Sequence, residues 1–146
     1  MPGSVMMLIT EMRESKSGQN APDSPWEDLV VSILSVNQYS LEYTYLALTG
    51  LREQRLTDPV SLSGFEPGEI EARLRASGCD RGSFMTSLFA ERLAALGQLI
   101  RSNAINECEK VIGSNDVRAI EALLLPVRGI GPAVLRNFYL LRNIRK

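Results

Sequence analysis

The residues of this 146-residue chain best suited to chemistry are two glycines and a proline near its C-terminal end, within residues 128–133. Gly129 and Gly131 enclose one aliphatic residue and therefore permit a very tight turn. Pro132 suits the first position of a following helix, where its missing N–H costs nothing. The first amides of that helix would lack partners and would lie at the positive end of the helix dipole. The spacing predicts an anion site, with phosphate as the ligand that such helix ends bind.

Basic residues are concentrated around this predicted turn, although the whole chain has a formal net charge of −1. Residues 118–146 contain six basic residues and the single acid Glu121, a balance of +5. Residues 1–117 contain ten basic and sixteen acidic residues, a balance of −6. A basic end that contains the turn favours nucleic acid as the ligand, and the acidic remainder disfavours a protein wrapped by it on all sides. A solvated helix face at the terminus is the alternative interpretation.

The absence of histidine excludes several other kinds of site. Ser-His-Asp and Cys-His catalysis, histidine acid-base catalysis and histidine-ligated metals are all ruled out. Cys79 and Cys108 are too few and too far apart for a zinc site or an iron–sulfur cluster, so both are expected to be reduced packing residues. The sequence therefore predicts no cofactor and no metal bound by side chains.

Composition is typical of one globular domain with a real core, since 45% of the residues are hydrophobic and 23% are charged. The longest apolar runs are far too short to span a membrane, and the N-terminus lacks the charged start and cleavage pattern of a signal peptide. A cytoplasmic protein without a membrane partner is expected.

Helices are the elements predicted to position the turn, and strand signals are almost absent. Ser24 and Pro25 open a nearly apolar helix through Leu34, which is expected to be the buried central one. A long helix is predicted for 83–102, and Ser114 or Asn115 is expected to cap the helix before the turn. The remaining predicted helices cover 5–14, 40–51, 58–62, 66–77, 104–112 and 132–143. The predicted fold class is all-α, with about nine helices, and the chain ends in a helix-hairpin-helix.

Three segments in order resemble the helix-hairpin-helix DNA glycosylase superfamily, which contains endonuclease III, the mismatch adenine glycosylase and the alkylated-base glycosylases. Residues 125–135 are similar to the hairpin, and residues 25–38 are similar to the early buried helix and the polar loop after it. Residues 69–81 are similar to the helix that ends in a glycine turn. The resemblance implies a glycosylase-like six-helix domain over residues 24–146, after an N-terminal helix and loop over residues 1–23, in a single domain overall.

Double-stranded DNA and base-excision repair are the partner and the process that the resemblance implies. In the superfamily the hairpin amides bind one DNA phosphate, often with a bound monovalent cation. The positions that match this hairpin and its flanking cations are Gly129, Ile130, Gly131, Ala133, Arg128 and Arg136. The loop after the early helix supplies a polar side chain that fills the gap left by a flipped nucleotide, and Asn37 or Gln38 matches that position. Capping of the preceding helix by Asn37 is an equal alternative.

The catalytic residues of the superfamily are not matched. Bifunctional members carry a lysine two residues after the second glycine of the hairpin, and Ala133 stands there, so lyase chemistry is not expected. The superfamily also uses an aspartate about twenty residues after that glycine, a position that lies beyond Lys146. Glu121 is expected to face solvent. The other acids expected to be caps or surface residues are Asp23, Asp28, Asp58 and Asp80.

Three functions stay open after this comparison. The favoured hypothesis is a DNA-binding protein of the glycosylase fold that lacks the full catalytic machinery. The first alternative is a monofunctional DNA glycosylase that uses another acid or is completed by a second chain or a second copy in a homodimer. The weaker alternative is a helical interaction module whose hairpin contacts an anion of a protein.

Overall fold

The computed structural model describes residues 25–35, 44, 46–103, 105–142 and 144. These residues contain eight α-helices and no β-strand, which confirms the all-α prediction for this part of the chain. The helices are α1 (Pro25–Ile33), α2 (Leu48–Glu53), α3 (Pro59–Ser63), α4 (Pro67–Ser77), α5 (Ser83–Ser102), α6 (Ile105–Ile112), α7 (Val117–Leu124) and α8 (Pro132–Arg142). The helix predicted for 5–14, the capping residue Ser24 and the first part of the helix predicted for 40–51 lie outside the described residues.

Helix α1 forms the centre of the core, as its apolar sequence predicts. Every residue of this helix after Pro25 is buried, and the helix packs against α5, α6 and α8. Leu29 and Ile33 are fully buried, and burial of a side chain of this size stabilises a fold by roughly 1.5–3 kcal/mol. The packing of α8 on α1 therefore positions the helix that follows the predicted turn.

Two charged residues of α1 are buried, and the prediction that Asp28 is a cap or surface residue is wrong. Asp28 is 1% exposed, and Arg142 at the end of α8 donates from Nη1 to its Oδ2 at 3.3 Å. Glu27 likewise accepts a hydrogen bond from Arg52 Nη2 at 2.9 Å. A carboxylate in the core requires an opposite charge nearby. The ion pair therefore ties the first turn of α1 to the last turn of α8.

Local capping signals are confirmed at three other positions. Asp58 caps α3, since its Oδ2 accepts the amide of Ser61 at 3.3 Å. Gly78 ends α4 in the left-handed conformation, with φ of +93°. Asp80 is exposed, and its Oδ1 accepts the Gly82 amide at 3.0 Å in the turn before α5.

The cap of α7 differs from the prediction. Asp116, and not Ser114 or Asn115, caps this helix, because its Oδ1 accepts the amide of Ala119 at 3.3 Å. The Ser114 hydroxyl instead donates to the Val111 carbonyl at 2.6 Å and so ends α6. Asn115 adopts a positive φ of 63°, which reverses the chain between the two helices. In this short connection Ser114 ends α6, Asn115 reverses the chain and Asp116 caps α7.

Cys79 and Cys108 are both buried free thiols, which confirms the prediction that they are packing residues. Burial raises the pKa of each thiol above its ordinary value. No helix among the described residues is long and apolar enough to cross a membrane.

Candidate nucleic-acid interface

Residues 125–131 form a tight connection, here called the α7–α8 turn. The amide of Val127 donates to the Leu124 carbonyl at 2.9 Å, and the amide of Ile130 donates to the Val127 carbonyl at 3.1 Å. Val127 and Ile130 are 8% and 4% exposed, so their side chains anchor the turn in the core. The Ile130 amide is hydrogen-bonded within the turn and is therefore not available to a phosphate. The phosphate contacts expected from the sequence are left to the other predicted site residues.

Gly129 is a position where the fold requires a glycine. Its φ is +92°, in the left-handed region that side chains disfavour. A Cβ at this position would also lie 2.4 Å from Cγ and 2.9 Å from Cδ of Arg92. The turn therefore depends on Gly129 for its backbone conformation and for the close approach of an α5 side chain.

Gly131 is a position where the fold has no such need. Its φ is outside the left-handed region, and a Cβ built there meets no atom within 4 Å. Its carbonyl accepts the amide of Leu135 at 3.1 Å, which makes Gly131 the residue at the N-terminal boundary of α8. The missing side chain leaves the start of this helix open to an incoming ligand.

The first amides of α8 have no acceptor within the described part of the chain. The N–H groups of Gly131, Ala133 and Val134 donate to no group there, and Pro132 has no N–H. Ala133 is exposed and Gly131 is half-buried. Unpaired donors at the positive end of an 11-residue helix form a favourable environment for an anion.

Three arginines on or against the turn and the first turns of α8 have no acid partner among the described residues. Arg128 and Arg136 are exposed and Arg92 is half-buried, and no carboxylate of the described residues pairs with any of them. Other arginines of the described chain do have acid partners, in the pairs Arg52–Glu27, Arg73–Glu69, Arg75–Glu71 and Arg142–Asp28. None of these three charges is therefore neutralised by a direct ion pair with a described residue.

The end of α1 lies beside α8. Asn137 in α8 is 4% exposed, and its Nδ2 donates to the Ser35 carbonyl at 3.4 Å. Ser35, just after α1, therefore lies next to the second turn of α8. Asn37 and Gln38 both lie outside the described part of the chain, so the inserted-residue role and the capping role stay predictions.

A groove of about 540 Å³ runs along α7 and α8 beside the turn. Leu125, Pro132 and Ile144 contribute to its apolar wall. The Tyr139 hydroxyl donates to Oε2 of Glu121 at 3.1 Å within this groove, so Glu121, which was expected to face solvent, is half-buried and hydrogen-bonded. Burial, together with the Glu121 carboxylate, raises the pKa of Tyr139 to about 12. Tyr139 is therefore a neutral hydrogen-bond donor at physiological pH and fixes the orientation of Glu121.

Local sequence signals did not indicate Arg92 or Tyr139, because each acquires its place through a partner on another element. Among the described residues, no three histidine, cysteine or acidic side chains lie close enough together to hold a metal ion.

Comparisons with protein-family models, with curated protein sequences and with solved structures find no match to this chain. The functional conclusion therefore rests on the chemistry of the α7–α8 turn and of the residues around it.

Proposed function

We propose that this chain binds duplex DNA through the α7–α8 turn, which acts as the helix-hairpin-helix of a glycosylase-like scaffold. The amides of Gly131 and Ala133 bind one DNA phosphate in this proposal, and Arg128 and Arg136 contact neighbouring phosphates. These contacts read the backbone of the duplex and not its sequence.

Gly131 provides the observation that carries the proposal. Helices α3 and α7 begin with an aspartate whose side chain caps their first amides, namely Asp58 and Asp116, whereas α2, α4 and α5 begin without a side-chain cap. Helix α8 begins with a glycine that neither the backbone conformation nor the packing requires. A polar capping side chain would stabilise this helix start better than glycine does. The exposed Arg128 and Arg136 flank the open start of α8 in sequence, and their charge favours an external anion as the partner of its amides.

The surrounding charge favours a polyanion over a small anion. Arg128 and Arg136 are exposed on either side of Gly131 along the chain, and neither has an acid partner among the described residues. A DNA strand supplies a series of phosphates to such cations, and their contacts release condensed counterions and add affinity. Ser35, just after α1, lies beside α8, and we propose that Asn37 or Gln38, which follow it in sequence, enters the duplex.

Titration of a fluorescent duplex of about 20 base pairs over a series of salt concentrations tests this function. We expect the logarithm of the association constant to fall linearly with the logarithm of salt, with a slope that corresponds to about two to four phosphate contacts. Absence of binding to any duplex at low salt refutes the proposal and leaves the helical interaction module as the remaining hypothesis.

Release of a damaged base is a second candidate function, and the position of Glu121 favours it. This carboxylate lies in the same groove as Pro132, the first residue of α8. In such a reaction water attacks the sugar as the glycosidic bond breaks, the base leaves with the bonding electrons, and a carboxylate stabilises the positive sugar and accepts the proton of the water.

Duplexes that contain uracil, an alkylated base or an oxidised base test this second function with the purified chain. Loss of base release in Glu121→Gln would identify Glu121 as the catalytic carboxylate, because glutamine keeps the size of the side chain and its oxygen acceptor for Tyr139. No release from any of these duplexes rejects the enzymatic function for this chain acting alone.

A further inference from the structure

Arg92 lies on α5 and contacts the α7–α8 turn, which is distant from it in sequence. Its Cγ and Cδ occupy the space where a side chain of Gly129 would begin, at 2.4 and 2.9 Å from the position of a Cβ. The aliphatic stem of Arg92 therefore rests on the turn backbone. This contact fixes the aliphatic part of the side chain against the turn and does not involve the guanidinium.

The guanidinium of Arg92 has no strong partner that would explain this position. No carboxylate of the described residues pairs with it, although four other arginines of the described chain are paired with acids. The ring of Phe89, whose centroid is 5.9 Å from Cζ of Arg92, lies at the outer limit of a cation–π contact. A half-buried arginine with its stem held and its charge uncompensated has a small entropic cost for binding an anion.

From this geometry we infer that Arg92 is a third phosphate-binding side chain of the DNA site. The inference rests on the proposed function and extends it, because it adds a contact from α5 to those of the turn and α8. Arg92 reaches the turn at Gly129, whereas Arg136 follows Gly131 on α8. The proposed phosphate contacts then come from α5, from the turn and from α8.

A purely structural role, in which Arg92 covers the turn backbone, is the alternative that a variant must separate. Arg92→Met keeps most of the aliphatic stem and removes the charge, whereas Arg92→Lys keeps the charge. Arg101 supplies a matched control, because it is exposed near the end of the same helix and has no acid partner among the described residues. Arg101→Met makes the same change of charge away from the turn.

Duplex titrations over a salt series measure the contribution of Arg92. We expect Arg92→Met to reduce the salt slope by about 1 and to weaken binding at about 50 mM salt by on the order of tenfold. Arg92→Lys should restore most of the slope, and Arg101→Met should bind like the unaltered chain. Circular dichroism melting should show the same Tm for all of these variants.

The outcomes separate this inference from the proposed function. If the unaltered chain binds no DNA, both are wrong. If DNA binds and Gly131→Asp weakens binding, but Arg92→Met keeps the slope of the unaltered chain, the function stands and the role of Arg92 is wrong. If Arg92→Met fails to fold, the comparison passes to Arg92→Gln and Arg92→Lys, and equal slopes for these two overturn the inference.

Discussion

Replacement of Gly131 by aspartate should raise the stability of the fold and weaken the binding of DNA. An Asp at this position has room for its side chain, since a Cβ there meets no atom within 4 Å, and the backbone is outside the left-handed region. Its carboxylate can accept the free amides of Ala133 and Val134, as an N-terminal capping residue does. The gain over glycine is a few tenths of a kcal/mol from capping, and the helix dipole adds roughly 0.3–1 kcal/mol. We therefore expect Tm to rise by up to about 4 °C.

The same carboxylate removes the amides from the phosphate and repels it. Two unit charges about 4 Å apart interact with about 1 kcal/mol in bulk water and about 4 kcal/mol at the effective dielectric of a protein surface. Since about 1.4 kcal/mol corresponds to a tenfold change in affinity, Gly131→Asp should weaken duplex binding by between about fivefold and about a thousandfold. The loss should shrink at high salt because the repulsion is screened.

Gly131→Asn provides the matched control, because asparagine caps the helix similarly without the charge. Fluorescence anisotropy with a labelled duplex and thermal melting followed by circular dichroism measure the two effects on the same samples. Gly131→Asn should show a smaller loss of affinity than Gly131→Asp. Unchanged DNA affinity of Gly131→Asp, or a Tm lowered by several degrees, would refute the conclusion that Gly131 serves a ligand and not the fold.

Three further predictions concern the residues that hold the site. Gly129→Ala should lower the free energy of unfolding by about 1–3 kcal/mol in urea titrations, because the left-handed backbone is strained and Arg92 must move; an unaltered midpoint would contradict this. Arg142→Met should lower the free energy of unfolding by roughly 3–5 kcal/mol, because Asp28 stays buried without this partner. Adding Asp28→Asn should restore part of that stability, and a double variant with no recovery would argue against a stabilising ion pair. Because the pKa of Tyr139 is raised to about 12 in the folded chain, its contribution should be constant below about pH 10 and lost as pH rises toward 12. Tyr139→Phe should show a smaller loss of stability than the unaltered chain over that interval, and an identical pH dependence would disprove the assignment.

Much of the helical framework follows from local chemistry and was predictable on that basis. Gly78 ends a helix because only a residue that tolerates positive φ fits there. Pro132 begins one because its fixed φ is already helical. These preferences act over a few residues, so the sequence displays them directly. The predicted cap of α7 failed by one or two residues because Ser114, Asn115 and Asp116 are all good capping types, and the reversal of the chain at Asn115 selected Asp116.

The surroundings of Asp28 and Glu121 could not be predicted from the sequence, for a physical reason. Asp28 is in the core because Arg142 on α8 compensates for the burial of its charge, and the half-buried Glu121 accepts a hydrogen bond from Tyr139 on the same helix. Those partners are 114 and 18 residues away in sequence. A capping or surface position is the natural expectation for an isolated acid, and only the packing of α8 against its neighbours changes it.

The sequence alone determined the turn, the helix that follows it and the excess of positive charge at this end of the chain. These properties depend on the conformational limits of glycine and proline and on the count of charged side chains. Only the tertiary structure decided that the fold requires a glycine at position 129 and does not require one at position 131, because the difference depends on what each missing side chain would contact. The contact between Arg92 and the turn has the same origin, since packing of distant helices brings together charges that local preferences cannot place.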